Sequence, residues 1–249
     1  MIDAPELQEW ARWFGVSSMQ IRRDHFISHV LRAVGELHPD TRFFGGTALC
    51  RTHLDQTRLS EDIDLLHAEP REFLTTLRDE VPKAIRREFP DTTSSEPSSE
   101  GDGLATLLEP PDLDAIKIYV GRDGPNTAAW EFTPTPVRLR YKDLASDQVF
   151  RCPTAPTFAA MKLAAWSDRH APRDLFDLAG LAKLGTLRDP NVARIFEAKM
   201  GVPIIMADFT RVPRVTAAAW ETELAAQVGV LPPADDCLEL VRVALAAAV

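Results

Sequence analysis

A glycine pair followed by a threonine could form a phosphate-binding turn. Gly45, Gly46 and Thr47 come directly after a short apolar run, and an apolar stretch typical of a helix begins with them. Glycine lets the backbone approach a ligand closely, and the unpaired N–H groups at the start of a helix can hold an anion. Many strand–glycine–helix turns bind nothing, so this turn by itself is only a candidate.

Two carboxylates a short distance downstream could hold a divalent cation. The run SEDIDLL alternates polar and apolar residues, which predicts a β-strand. With a period of two, Ser60, Asp62 and Asp64 lie on one face of that strand. Such a pair of carboxylates suits Mg²⁺, which proteins bind through one or two carboxylates plus substrate phosphates. An isolated pair would favour solvated acids, but the glycine turn upstream favours a metal site.

A third group of charged residues falls on two predicted helices after residue 154. Lys162 and Arg169 are seven residues apart and therefore share a helix face, from which they could hold a triphosphate. Asp174 and Asp177 also share a face, and we expect one of them to orient a basic residue. Two simpler alternatives stay open: Lys162 extends along an apolar surface to water, and Arg173 forms a plain ion pair with Asp177.

The elements that must position these residues predict an α/β (α+β) fold, with a mixed sheet flanked by helices and a helical C-terminal half. We predict three segments: a helical segment at 1–40, an α/β core at 41–150 and a helical domain at 151–249. The stretch 91–103 has no aliphatic or aromatic residue, which predicts a mobile surface loop. The run VRLRY at 137–141 is predicted as a strand.

Composition excludes several classes of protein. The chain has 249 residues and no run of about 18 apolar residues, so we expect no membrane span. Its start lacks the basic region of a secretory signal, and its three cysteines form no CxxC pair. We therefore expect a cytoplasmic protein without a disulfide framework. The net charge of −9 argues against binding nucleic acid through the overall field.

A polyanion would therefore need a local basic patch or metal ions. Three basic clusters are candidates for contacting an RNA backbone. They are Arg22-Arg23, Lys83 with Arg86-Arg87, and Arg138-Arg140-Lys142.

The motifs resemble those of a known family. GGTAL followed by R-x-S-x-D-x-D resembles the first motif of the AbiEii/AbiGii group of nucleotidyltransferase toxins, which includes the MenT-like toxins. This group lies within the DNA polymerase β-like nucleotidyltransferases. The motif stands here as Gly45 to Leu49, Arg58, Ser60, Asp62 and Asp64. The later segment is similar to the family's second motif, with Lys162, Arg169, Arg173, Asp174 and Asp177.

The resemblance implies a nucleotidyltransferase-like core and an Mg²⁺-dependent nucleotidyltransferase toxin of a toxin–antitoxin system. It implies that nucleotides pass from an NTP to an acceptor, expected to be the 3′ end of a tRNA, which would block translation. A cognate antitoxin is the expected protein partner. The implied metal ligands are Asp62 and Asp64. The implied catalytic residues are Asp62, Asp64, Lys162, Asp174 and Asp177. The implied nucleotide-binding residues are Gly45, Gly46, Thr47, Arg58, Ser60 and Arg169.

The sequence departs from the family at one point. Many polymerase β-like enzymes have a third carboxylate on a neighbouring strand, but the run AIKIYV has Tyr119 there. Asp114 and Glu131 are the substitutes we consider. This departure favours one alternative function, a non-catalytic NTP-binding regulator. A second alternative, favoured by the net negative charge, is transfer to a small molecule or a protein hydroxyl.

Two histidines form a separate pattern. His25 and His29 lie at i and i+4 on a predicted helix, a spacing that can bind zinc. No HExxH glutamate accompanies them, and no third ligand is close in the sequence. We therefore predict ordinary solvated or capped histidines.

Overall fold

The computed structural model describes residues 2–54, 57–144, 147–204 and 215–247. The chain divides into two compact units. The first comprises Met1–Pro125 and Phe132–Cys152, and the second comprises Asn126–Glu131 and Pro153–Val249. The domain boundaries predicted at residues 40 and 150 stay predictions, because compactness does not show which segments fold independently.

The first unit is built on a mixed sheet, which confirms the predicted fold class. Its described strands run in the order β3-β5-β6-β2-β1-β8-β7, with β4 paired to β5. Strand β2 is antiparallel to β1 and parallel to β6. The strands are β1 (Arg42–Phe44), β2 (Asp62–His67), β3 (Thr93–Ser94), β4 (Ser98–Glu100), β5 (Gly103–Glu109), β6 (Ile116–Arg122), β7 (Phe132–Val137) and β8 (Gln148–Pro153).

Helices flank this sheet. They are α1 (Ala4–Phe14), α2 (Ser18–Leu37), α3 (Gly45–Cys50) and α4 (Pro70–Ala84). Helix α2 begins after Ser17, whose side chain accepts a hydrogen bond from the Gln20 N–H. Its apolar residues Phe26, Val30 and Leu31 are fully buried in the core.

Strand β2 presents two different faces. Ile63 and Leu65 are fully buried, whereas Asp62 and Asp64 are only half-buried. This is the alternation that the period of two predicts. The apolar residues anchor the strand, so the carboxylates are held on its other face.

The described helices of the second unit are α5 (Ala155–Arg169), α6 (Pro172–Lys183), α7 (Pro190–Met200), α8 (Ala217–Leu224) and α9 (Ala234–Ala246). Short 3₁₀ turns lie at Pro125–Thr127 and Thr186–Arg188. His170, which has a left-handed backbone, follows the last residue of α5, and Pro172 starts α6. No helix in the described ranges has both the length and the apolarity that a membrane span needs.

Two local predictions were wrong. The stretch 91–103 contains β3 and β4, whose polar residues are held by backbone pairing with β5. An edge hairpin needs no apolar side chains for that pairing. The run 137–141 leaves the strand after Val137, because Arg140 has φ +73 and turns its side chain towards Asp24. Tyr141 also donates a hydrogen bond to Asp24, so tertiary contacts override the local strand preference here.

Candidate active site

The carboxylate of Asp64 packs directly against Gly45. A Cβ atom at residue 45 would overlap Oδ2 of Asp64 and lie 2.7 Å from its Cγ. Gly45 also has φ +76, in the left-handed region that favours glycine. Both the backbone angle and the close approach therefore require glycine at this turn.

Two further residues of the motif, Arg58 and Ser60, lie close to Gly46. The position of a Cβ at residue 46 is 3.0 Å from Nη2 of Arg58 and 3.1 Å from Oγ of Ser60. Arg58 is only 1% exposed, and its Nη1 donates to the carbonyl of Leu59 at 2.8 Å. The Arg58 guanidinium and the Ser60 hydroxyl thus both lie next to Gly46.

Thr47 connects the turn to the strand of aspartates. Its hydroxyl donates a hydrogen bond to the backbone carbonyl of Asp62. Because Thr47 is 1% exposed, this bond is shielded from water. The structure therefore brings the whole first motif together around the start of α3 and the start of β2.

Strand β6 adds a residue that sequence reasoning missed. Lys117 pairs in register with Asp62, and its Nζ lies 2.7 Å from Oε1 of Glu100. Burial alone would lower the pKa of Lys117, but the hydrogen bond to Glu100 and the charges of Asp62 and Asp64 raise it. Lys117 therefore stays protonated next to both carboxylates. Lys117 reaches the aspartates because β6 pairs with β2 in this register, and the sequence does not show how two distant strands pair.

Tyr119 occupies the place where a third carboxylate was sought. It pairs in register with Asp64, and its hydroxyl donates to Oδ1 of Asp102 at 2.7 Å. Burial and the contact with Asp102 raise the pKa of Tyr119 well above its ordinary value of 10.0. The phenol is therefore neutral at neutral pH, and the carboxylate that its hydroxyl contacts, that of Asp102, comes from the turn between β4 and β5.

The two substitute carboxylates have other positions. Asp114 is exposed and precedes β6. Glu131 belongs to the second unit, where its carboxylate pairs with Arg194.

The second unit contains the other predicted residues as a buried ion cluster. Nζ of Lys162 lies 2.9 Å from Asp174 and 2.7 Å from Asp177. Arg169 makes two hydrogen bonds to Asp174, at 2.8 and 3.1 Å. The side chains of both aspartates are fully buried, that of Lys162 is 9% exposed, and that of Arg169 is 50% exposed. Each predicted set is thus brought together within its own unit.

This cluster keeps Asp174 charged. Burial alone would raise the pKa of Asp174, but Lys162 and Arg169 outweigh burial and lower it. Asp174 is therefore an ionised partner of Lys162. Asp177 also pairs with Lys162, across the two helices α5 and α6.

The donor atoms on β2 fit a hard divalent cation. The half-buried carboxylates of Asp62 and Asp64 share one face of the strand. Their oxygen atoms are the kind of ligand that Mg²⁺ prefers.

The cysteines are less suited to bind such a cation. All three are free and buried, and burial raises the pKa of Cys152 to about 12 and that of Cys237 to about 11.

Comparison with solved structures shows the same fold in another protein. MenT4, a nucleotidyltransferase toxin from Mycobacterium tuberculosis, superposes with a TM-score of 0.69 at 18% identity, over 97% of this chain and 89% of that one. An antigenic nucleotidyltransferase-like protein from Paracoccidioides brasiliensis gives a TM-score of 0.41 at 15% identity, over 76% and 98%. The latter likeness is too weak to carry an argument. None of the curated protein sequences matches the chain.

A protein-family model gives the more specific result. The family described as nucleotidyl transferase AbiEii toxin, type IV toxin–antitoxin system, matches residues 29–240. That range includes both the glycine turn with its aspartates and the Lys162 cluster. The protein is therefore a nucleotidyltransferase and belongs to the AbiEii toxin family.

Proposed function

We propose that this toxin transfers a nucleotide from an NTP to the 3′ end of a tRNA in an Mg²⁺-dependent reaction, and so blocks translation in the cytoplasm. The observation that carries the proposal is the packing of the Asp64 carboxylate on Gly45, with Asp62 on the same face of β2. This contact joins the candidate metal ligands to the candidate phosphate turn.

Asp62 and Asp64 are the residues that would hold the metal. A bound Mg²⁺ would polarise the reacting phosphoryl group and offset the negative charge that develops on its oxygens. The two aspartates keep their position because Ile63 and Leu65 are buried on the other face of the strand. Lys117 supports them by offsetting part of their charge.

The glycine turn is proposed to bind the phosphates. Gly45 and Gly46 leave the backbone accessible, and the half-buried Ser60 can donate its hydroxyl to a phosphate oxygen. The buried Arg58 and Thr47 act here as positioning residues, since their bonds go to backbone carbonyls. Catalysis by such a site is positioning plus electrostatic stabilisation.

Arg169 and Lys162 are proposed, as the family motif implies, to offset charge on the triphosphate. Arg169 is half exposed and held by Asp174, so its guanidinium has donors in a fixed orientation. Lys162 is oriented by Asp174 and Asp177. In this proposal the two aspartates do not touch the substrate, and their part in catalysis is to hold the two cations.

A local basic patch is needed for a tRNA acceptor, given the net charge of −9. Lys83, Arg86 and Arg87 are exposed at the end of α4, so we propose them as the tRNA contact. The side chain of Arg140, by contrast, is 2% exposed and bound to Asp24. It is therefore unsuited to such a contact.

The acceptor is tested by labelling. The protein is incubated with Mg²⁺, each labelled NTP in turn and three pools: total RNA, protein and small molecules. We expect label on tRNA, lost in Asp62→Asn and Asp64→Asn and kept in the control Asp40→Asn, whose side chain is exposed. Label only in the protein or small-molecule pool would replace the tRNA acceptor.

A regulator that only binds NTP is the second candidate, favoured by Tyr119 in place of a third carboxylate. It predicts nucleotide binding without pyrophosphate release. The same incubations distinguish the two, because transfer releases one pyrophosphate for each nucleotide attached.

A further inference from the structure

The first unit contains a cluster of two histidines and one aspartate that the nucleotidyl transfer does not use. Nε2 of His25 lies 3.1 Å from Nε2 of His29, and 3.0 Å from the carboxylate of Asp143. Nε2 of His29 lies 3.4 Å from the same carboxylate. Asp143 is 118 residues further along the chain than His25, so the sequence did not reveal this third ligand.

The three donor atoms have the spacing of ligands around one small ion. Ligands bound at about 2.0–2.1 Å in a tetrahedral site lie about 3.3 Å from each other. The three distances in this cluster, 3.0, 3.1 and 3.4 Å, are close to that value. Two imidazoles and one carboxylate also leave one tetrahedral position for water.

Neighbouring aromatic rings fix the two imidazoles. The ring centroid of His25 lies 4.8 Å from that of Tyr141 and 5.6 Å from that of Phe89. The ring of His29 lies 5.3 Å from that of Phe89. The side chains of the two histidines are 3% and 1% exposed. A site with its ligands already held in place binds an ion at little cost in ordering.

The cluster lies beside a cavity. His25 lines a cavity of about 350 Å³ whose wall includes Arg22, Glu88 and Phe89. The Asp143 side chain is 22% exposed. Two of the three proposed ligands, His25 and Asp143, are therefore close to solvent-accessible space.

We propose that His25, His29 and Asp143 form a binding site for a divalent transition-metal ion of the zinc class. Two imidazole nitrogens select Zn²⁺, Co²⁺ or Ni²⁺ over Mg²⁺, which takes oxygen ligands. The ion clamps helix α2 to the loop that contains Asp143, and so stabilises the first unit. This proposal is independent of the proposed tRNA acceptor and of the carboxylates on β2.

The competing account is plain hydrogen bonding, in which both rings donate Nε2–H to Asp143. Metal binding separates the two accounts. Untagged protein is stripped with a chelator, and Zn²⁺ is added in excess Mg²⁺, which occupies oxygen-ligand sites. Calorimetry gives affinity and stoichiometry, Co²⁺ absorption reports imidazole ligation, and the midpoint of thermal unfolding is recorded with and without Zn²⁺.

The variants are His25→Gln, His29→Gln and Asp143→Ala, and the matched control is His38→Gln. His38 pairs with the Glu80 carboxylate at 3.2 Å, and the cluster does not include it. We expect one bound ion in the wild type and in the control, and an affinity at least about tenfold weaker in each cluster variant. The Zn²⁺-dependent rise in unfolding temperature should be lost in the same three variants.

Asp143→Ala keeps the test decisive if a buried histidine variant fails to fold, because the Asp143 side chain is 22% exposed. Its fold is checked by circular dichroism. Absence of tight Zn²⁺ binding by the wild type, or equal affinity in a folded Asp143→Ala protein, would overturn the proposal. Equal competition by Mg²⁺ would overturn the assignment of ion class.

Discussion

Asp64 occupies the space that a side chain at Gly45 would need. The two residues are neighbours because Phe44 of β1 pairs with Asp64 of β2, and Gly45 directly follows Phe44. A phosphate held at the turn would therefore lie next to the carboxylate. The following predictions depend on that contact and on the charge clusters around it.

Gly45→Ala should abolish most of the transfer activity. Its added methyl group would displace the Asp64 carboxylate, and a misplacement of about 1 Å can cost about 100-fold in rate. Gly185→Ala is the matched control, because Gly185 has the same φ of +76 and nothing within 4 Å of an added Cβ. Each variant should lose roughly 1–2 kcal/mol of stability to the left-handed backbone.

Nucleotide transfer and urea unfolding are measured on both glycine variants. Only Gly45→Ala should lose activity, although both lose stability. Wild-type rates in a folded Gly45→Ala protein would show that the contact between residue 45 and Asp64 does not matter for the reaction.

Tyr119→Phe should keep most of the activity. The pKa of Tyr119 is raised, so its phenol keeps its proton near neutral pH, and its hydroxyl already donates a hydrogen bond to Asp102. Loss of a general acid or base costs about 100-fold or more. A decrease that large in the transfer rate of Tyr119→Phe would instead assign the hydroxyl to the chemistry.

Lys162→Met should lower the free energy of unfolding of the second unit. It leaves Asp177 and Asp174 buried with less compensation, which costs about 3–5 kcal/mol when one partner of a buried pair is removed. Urea unfolding measures the loss, and the exposed Arg173→Met is the control. Unchanged stability together with lost activity would show that Lys162 acts on the substrate alone.

Asp24→Asn should destabilise the first unit. Asp24 accepts hydrogen bonds from Arg51 at 2.8 Å, from Arg140 at 3.0 Å and from Tyr141 at 2.8 Å, and it is 2% exposed. Burial alone would raise the pKa of Asp24, but Arg140 and Arg51 lower it below its ordinary value of 3.8. Removing its charge leaves two buried guanidinium groups uncompensated, at a cost of about 3–5 kcal/mol.

The pH dependence follows from the same shift. Because the pKa of Asp24 is lower in the folded state, its contribution is present above pH 3.8 and is lost as the pH falls below that value. Unfolding free energies of wild type and Asp24→Asn should therefore converge on acidification. A difference that stays constant with pH would contradict the assignment.

Local patterns predicted that Asp62 and Asp64 share the less buried face of β2. The glycine turn and the alternation around Ile63 are short-range signals, and they position Asp62 and Asp64 without knowledge of the rest of the chain. The hydrogen bonds by which Ser17 and Thr154 cap their helices are equally local. These features depend on neighbours within a few residues, where steric and hydrogen-bond preferences dominate.

Long-range relations could not be predicted. Lys117 faces the aspartates only through the register of β6, and Asp143 meets His25 from 118 residues further along the chain. Arg140 leaves a strand-like run for a partner 116 residues away. Such contacts depend on how distant segments pack together, which the hydrophobic periodicity of a segment does not predict.

The most direct test of the central claim is the transfer of a labelled nucleotide to tRNA by Asp64→Asn, which keeps the size of the side chain and removes its charge. With Mg²⁺ present and folding confirmed by circular dichroism, we predict a decrease of at least about 100-fold relative to the wild type. Transfer at the wild-type rate would contradict the assignment of Asp64 to the metal and phosphate site.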